Sequence, residues 1–133
     1  MSSPVVLTVH TTYVFPIVVH HTAICVHGYE FHFTKAKGLY AKKLGKRKRE
    51  RRLRSKRRKE VMLGTTDLSK KQIEHLINYW KVEKFRKDNY RLLRNNCNHF
   101  SDLFAAVLCK DGVKFPTWIN WEGNLFALYF RLV

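Results

Sequence analysis

Apolar residues dominate the first quarter of the chain, in runs typical of strands. Residues 5–9, VVLTV, predict a first strand, and the stretch 17–33 predicts two strands of a hairpin that turns at Gly28. Side chains alternate between the two faces of a strand. His20 and His21 are therefore expected on opposite faces, so only one of them can meet a given partner.

Two later stretches carry the three- and four-residue spacing of buried helix faces. The first follows a capping box formed by Ser69 and Gln72. Its apolar face consists of Ile73, Leu76, Ile77 and Trp80. The second begins near Cys97 and ends near Lys110 and Gly112. Its apolar face consists of Phe100, Leu103, Phe104, Val107 and Leu108.

The position of Cys97 at the start of a helix has a chemical consequence. Backbone N–H groups in the first turn and the positive end of the helix dipole favour a thiolate over a thiol. A lowered thiol pKa is what a nucleophilic cysteine needs. The alternative is a buried structural cysteine. Asn95, Asn96 and Asn98 surround Cys97 and argue against a purely apolar environment.

The same stretch resembles the PPPDE domain, a family of permuted papain-fold peptidases that includes the desumoylating isopeptidases. An asparagine, the nucleophilic cysteine, a second asparagine and a phenylalanine stand in this order in the family. The matching residues here are Asn96, Cys97, Asn98 and Phe100, followed downstream by Pro116, Trp118, Ile119 and Asn120. The resemblance covers roughly three quarters of the chain.

The resemblance implies an α+β fold of permuted papain type, with a small antiparallel sheet packed against helices. It also implies a Cys-His dyad. Aligning Gly28, Glu30 and Phe31 with the family's histidine strand places the base on His21, with Cys97 as nucleophile and Asn96 and Asn98 in support. The family's acid after the first strand is replaced here, and no acidic residue is assigned as a third member. Amides at the helix N-terminus are expected to stabilise the oxyanion.

Charge is concentrated in one segment. Of the 26 Lys and Arg, 15 lie within residues 35–59 beside a single acid, Glu50, so most of the net charge of +16 is there. A block of like charge repels itself and forms no core. We therefore expect residues 35–60 to be a disordered basic insertion within one domain that spans residues 1–133. Its arm residues are Lys46, Arg47, Lys48, Arg49, Arg51, Arg52, Arg54, Lys56, Arg57, Arg58 and Lys59.

The basic run occupies the place where the family has a glycine-containing loop and further strands of its sheet. Either the run replaces those strands and the domain is trimmed, or the sequence is an altered gene product with a compromised fold. The run itself is consistent with binding to nuclear import receptors or nonspecifically to nucleic acid. It favours localisation in the nucleus, the cytoplasm or both.

The cysteines and the hydropathy limit the remaining classes. Cys25, Cys97 and Cys109 are odd in number and form no C-x-x-C pair, so no disulfide framework or zinc site is predicted. We expect no metal and no cofactor, and a reducing intracellular compartment. No secretory leader is predicted, and no apolar run reaches the length of a membrane span. The apolar tail, residues 124–133, is a strand, a packing helix or an exposed end.

Two functions follow from these patterns. The first is a cysteine isopeptidase that removes SUMO or ubiquitin from lysine side chains of proteins, with thioester cleavage as adjacent chemistry. The second is a catalytically inactive module on a degraded peptidase scaffold, in which the basic arm binds nucleic acid or acidic proteins. The retained Cys97 and His21 favour the first, whereas the missing strands favour the second.

Overall fold

The protein is an antiparallel sheet with two helices packed on one of its faces. The computed structural model describes residues 2–14, 17–45, 58–92, 94–109, 112–113, 115–116 and 119. The described strands are β1 (Ser3–Val14), β2 (Ile17–Val26), β3 (Tyr29–Thr34), β4 (Gly38–Lys43) and β5 (Arg58–Thr66). Their order across the sheet is β4-β3-β2-β1-β5. The α+β fold with a small antiparallel sheet is confirmed.

The central pair of strands is long and in continuous register. β1 and β2 pair from Val14 with Ile17 to Val6 with Cys25. β2 then turns into β3 through His27 and Gly28, whose φ angles of 52° and 77° are both positive. Two positive angles in a two-residue loop define the primed turns that match the twist of a hairpin. The turn predicted at Gly28 is confirmed, with His27 as its other residue.

Two α-helices follow the sheet in the sequence. α1 (Lys70–Val82) begins at Ser69, whose side chain accepts from the Gln72 N–H while Gln72 caps in return. This is the predicted capping box. A single 3-10 turn (Lys87–Asn89) leads to α2 (Cys97–Leu108), which has Asn96 as its N-cap. α2 packs mainly on β2 and β3.

Aromatic rings from the helices and β3 form the centre of the core. Phe100 and Phe104 of α2 are fully buried. The Phe100 ring lies 5.2 Å from Phe85, 6.1 Å from Trp80 and 6.4 Å from Phe33 between centroids. Because these rings come from α1, α2, β3 and the connector after α1, α2 is anchored from three directions. The anchor fixes the position of the N-terminus of α2, where Cys97 lies.

The sequence prediction was wrong for part of the basic segment. Residues 38–43 form β4 and residues 58–66 form β5, so both ends of the expected insertion at 35–60 are strands that pair with the sheet. Arg58 and Lys59 of the predicted arm belong to β5 and pair with His10 and Val9. The remaining arm residues lie outside the described residues. The buried start of β4, Gly38 and Leu39, packs into the structure, whereas the charged end of the strand, Lys42 and Lys43, is exposed.

Two smaller sequence predictions differ from the structure or concern residues outside the described ones. Val107 was assigned to the buried face of α2, but its side chain is 45% exposed. The buried face is turned around the helix, so that it includes Ser101 and Ala105 and leaves Val107 exposed. Ile119 is buried, whereas Trp118 and the apolar tail lie outside the described residues.

Replacement of Phe100 by alanine tests the aromatic anchor. A fully buried phenylalanine truncated to alanine costs about 3–5 kcal/mol of unfolding free energy, because a cavity remains. Val107→Ala on the exposed side of the same helix is the control and should change stability by less than about 1 kcal/mol. Urea unfolding followed by circular dichroism measures both. Equal losses for the two variants would contradict a core centred on Phe100.

Candidate active site

The first turn of α2 is fixed by its own cap. The Asn96 side chain accepts from the N–H groups of Asn98 and His99, and the Asn96 N–H donates to His99 Nδ1 at 3.1 Å. Such a reciprocal cap satisfies donors that a helix start leaves unpaired. Cys97 is the first residue of the helix, as the sequence predicted, and only 6% of it is exposed.

A buried group of hydrogen bonds joins this turn to β2. Thr22 Oγ1 lies 2.7 Å from Asn98 Oδ1 and 2.9 Å from Ser101 Oγ. Since a hydroxyl has one proton, Thr22 donates to Asn98 and accepts from Ser101. The other end of the Asn98 amide donates to the His20 carbonyl at 3.1 Å. The backbone on either side of His21 is thereby held against the turn that carries Cys97.

The two histidines of β2 leave the strand on opposite faces, as the sequence predicted. Thr22 points to α2, and the register pairs His20 with Thr11 on that same face. Thr11 Oγ1 lies 3.1 Å from His20 Nδ1. His21 points to the other face, which we call the outer face. Among the described residues, no hydrogen bond joins His21 to Cys97, and the dyad remains a prediction.

The edge of β2 beside these histidines is not covered by β3. The β2–β3 ladder runs only from Ile24–Phe31 to Val26–Tyr29. Before Ile24 the two strands diverge, and there the Asn98 amide reaches the His20 carbonyl. The start of α2 therefore lies where β2 separates from β3. His20 and His21 both lie beside that opening, one on each face.

His21 has imidazole and carboxylate neighbours on the outer face. Its Nε2 is 3.2 Å from His32 Nδ1, and the two rings are stacked with centroids 5.5 Å apart. His32 Nε2 in turn bonds to Glu30 Oε1. Burial lowers the pKa of His21 to about 4, with His32 and His10 acting in the same direction and Glu30 opposing them. His21 is therefore neutral at pH 7 and able to accept a proton.

Tyr90 approaches the backbone of Cys97 from the connector before α2. Burial raises the pKa of Tyr90 to about 12; Cys97 adds to the rise, and a hydrogen bond with the Cys97 backbone opposes it. A phenol with this pKa stays protonated at pH 7. The helix amides expected to stabilise an oxyanion have partners already, since Asn98 and His99 donate to Asn96. Tyr90 is a neighbour of Cys97 that the site residues predicted from the sequence did not include.

The remaining histidine and cysteines near this region have other environments. His99 is held in the cap by the Asn96 N–H, and burial lowers its pKa. Cys109 follows α2 and is 5% exposed, and its burial raises the pKa of its thiol. Cys25 Sγ lies 3.7 Å from Glu30 Oε2 on the outer face. Of the three thiols, Cys97 alone lies at a helix N-terminus.

Comparison with known proteins identifies the family. The model of the PPPDE peptidase domain matches residues 9–130, which is most of the chain. The chain belongs to the PPPDE peptidase family. The match includes both β2 and α2, so the histidine strand and the cysteine helix are parts of one PPPDE domain.

Two curated relatives are similar over part of their length. A desumoylating isopeptidase 1 homolog of Caenorhabditis elegans is 40% identical over 68 residues, which are 51% of this chain and 20% of the relative. A DeSI-like protein of Arabidopsis thaliana is 35% identical over 63 residues, 47% of this chain and 27% of the relative. The aligned part spans about a fifth to a quarter of the length of these relatives. None of the described helices is long and apolar enough to cross a membrane.

Replacement of Thr22 by valine tests the joint between β2 and α2, by which we mean the hydrogen bonds among Thr22, Asn98 and Ser101. Valine keeps the shape of threonine but removes the hydroxyl that donates to the buried Asn98 Oδ1 and leaves only the longer contact from Cys97 Sγ at 3.6 Å, which costs about 1–3 kcal/mol. Thr65→Val is the control, because Thr65 is exposed on β5. Thermal unfolding should show a clear loss for the first variant only. If Thr22→Val is as stable as the wild type, the joint is not important for holding the turn of Cys97.

Proposed function

We propose that this PPPDE domain is a cysteine isopeptidase that removes SUMO from lysine side chains of proteins. The observation that carries the proposal is the placement of Cys97 as the first helical residue of a PPPDE domain, held by hydrogen bonds against the histidines of β2. The name of the worm relative supports SUMO as the modifier. Ubiquitin is the alternative modifier, because it is joined to lysine by the same kind of bond.

The proposed reaction begins with the transfer of the Cys97 proton to a histidine. The thiolate attacks the carbonyl carbon of the isopeptide bond, and the developing oxyanion is stabilised by the Tyr90 hydroxyl. The histidinium then gives its proton to the departing lysine amine. Water hydrolyses the resulting thioester and regenerates the thiol. No step requires a cofactor.

We assign the base to His21. The resemblance supports this choice. A pKa lowered to about 4 leaves the ring unprotonated at pH 7, and it also makes the ring a weaker base than a histidine that titrates near neutrality. To serve Cys97, the His21 ring must act through the opening where β2 and β3 diverge. His20 is the alternative base, because it shares a face with Thr22 and its carbonyl bonds to Asn98.

Single substitutions separate these assignments. Cys97→Ser and His21→Ala should each lower the kcat/KM for cleavage of an isopeptide-linked SUMO conjugate by about a thousandfold or more. The double variant should be little worse than either single variant, because a nucleophile and its base act as a unit. Gel-based cleavage of the conjugate, with a ubiquitin conjugate in parallel, provides the measurement.

His20→Ala and His99→Ala are the matched controls, and folded forms of both should keep most of the activity. A larger loss in His20→Ala than in His21→Ala would assign the base to His20. Full activity in Cys97→Ser would refute a cysteine mechanism. A wild-type protein that cleaves neither conjugate would refute the proposed function.

A further inference from the structure

A second polar group lies on the outer face of the sheet, beside His21. It contains Glu30, which is 1% exposed, and His32, which is 8% exposed. A buried carboxylate is costly unless it is hydrogen-bonded. Both of its oxygens have partners, since His32 Nε2 bonds to Oε1 and Cys25 Sγ lies near Oε2. Among the described residues, no three His, Cys, Asp or Glu side chains are arranged to hold a metal ion.

The order of donors along this group can be deduced from its chemistry. A carboxylate only accepts, so Nε2 of His32 carries the proton that bonds to Glu30. In the neutral form of His32, Nδ1 then has a lone pair and accepts from Nε2–H of His21, 3.2 Å away. The other ring nitrogen of His21, Nδ1, must therefore carry its lone pair. This is the tautomer in which Nδ1 acts as the proton acceptor.

The ring orientation is fixed by stacking as well. His32 lies between two rings, with centroids 5.5 Å from His21 and 5.2 Å from Tyr40, and both pairs are within 11° of parallel. Hydrogen bonds set the tautomer, whereas the stack limits rotation of the rings. A histidine that serves as a base needs both its tautomer and its ring plane defined.

We propose that His32 and Glu30 are positioning residues for the base, and that they hold His21 with Nδ1 ready to take the proton of Cys97. The inference rests on the function and the base proposed above. When His21 takes that proton, its Nε2–H remains bonded to His32, and His32 remains bonded to Glu30. The negative charge of Glu30 then stabilises the imidazolium through His32. No proton needs to travel along the chain.

The kinetic test replaces Glu30 by glutamine. Glu30→Gln keeps an oxygen that can accept from His32 but removes the negative charge that stabilises the His21 imidazolium. It should therefore lower kcat for the SUMO conjugate by about 10- to 100-fold, with KM within about twofold of the wild type. Glu30→Asp keeps the carboxylate and should restore much of kcat. Glu60→Gln is the matched control: it removes one negative charge from the same face, at an exposed position on β5 opposite Thr8, and should behave as the wild type.

A second variant covers the case in which Glu30→Gln does not fold. His32→Phe preserves the stacked ring but removes both nitrogens, so it should lower kcat to a similar extent. Wild-type kcat in a folded His32→Phe or Glu30→Gln variant would overturn the inference. A fall in kcat that Glu30→Asp does not restore, with a melting temperature reduced equally in both Glu30 variants, would show a structural role only and would also overturn it.

A spectroscopic test is independent of activity. In ¹⁵N-histidine NMR spectra at pH 7, His21 should carry its proton on Nε2, and the Nε2–H of His32 should be protected from exchange. Glu30→Leu, which removes the acceptor oxygens, should abolish that protection, whereas Glu60→Gln should preserve it. A proton on Nδ1 of His21 would overturn the inference. If the wild-type protein lacks turnover, the proposed function fails, and the spectra still decide whether the chain from Glu30 to His21 exists.

Discussion

The site depends on one buried joint, the hydrogen bonds of Thr22 with Asn98 and Ser101. They are made at the point where α2 begins and β2 separates from β3. The Asn98 side-chain oxygen accepts from Thr22, and its NH₂ group donates to the His20 carbonyl. A single side chain therefore fixes the position of the helix along the strand. Buried polar groups that are fully paired specify one arrangement, because any shift leaves one of them unsatisfied. These hydrogen bonds thereby fix the position of Cys97, the residue that precedes Asn98.

The aromatic core supplies the stability that the polar joint cannot. Phe100 lies one turn after Cys97 and contacts rings from α1 and β3. Hydrophobic packing anchors the body of α2, whereas the hydrogen bonds of Thr22 and Asn98 set its register against β2. The two contributions act on opposite ends of the same short segment, 97–104. A helix held in both ways presents Cys97 at a fixed position, in a turn whose Asn98 and His99 amides are already capped by Asn96.

Much of this arrangement could be predicted from the sequence, because it follows local patterns. The cap at Ser69, the turn at Gly28 and the start of α2 at Cys97 all rest on spacing within a few residues, and each is confirmed. β4 and the beginning of β5 were missed, because their lysines and arginines favoured a solvated segment and Leu39 is the one large apolar residue that β4 buries. Charged side chains indicate only which part of a strand is exposed. A strand can carry them and still pair in a sheet, because only one of its faces needs to be buried.

Contacts between distant segments could not be predicted in this way. The pairing of Glu30 with His32 spans only two residues, yet its significance depends on His21 from the neighbouring strand. Similarly, Tyr90 meets Cys97 only because the connector folds back over the start of α2. The resemblance supplied the pair Cys97 and His21, but the alternation of β2 directs the His21 side chain to the outer face, whereas α2 packs on the face of Thr22. The proposed mechanism therefore requires the His21 ring to reach the Cys97 thiol across the open edge of β2.

The central claim is that Cys97 is the nucleophile of an isopeptidase. The most direct measurement is the intact mass of the purified protein after exposure to SUMO that carries an electrophile at its C-terminus, followed by peptide mapping of the adduct. The account predicts one adduct per protein on Cys97 and none in Cys97→Ser. A folded protein that forms no adduct, or that is modified preferentially at Cys25 or Cys109, would contradict it.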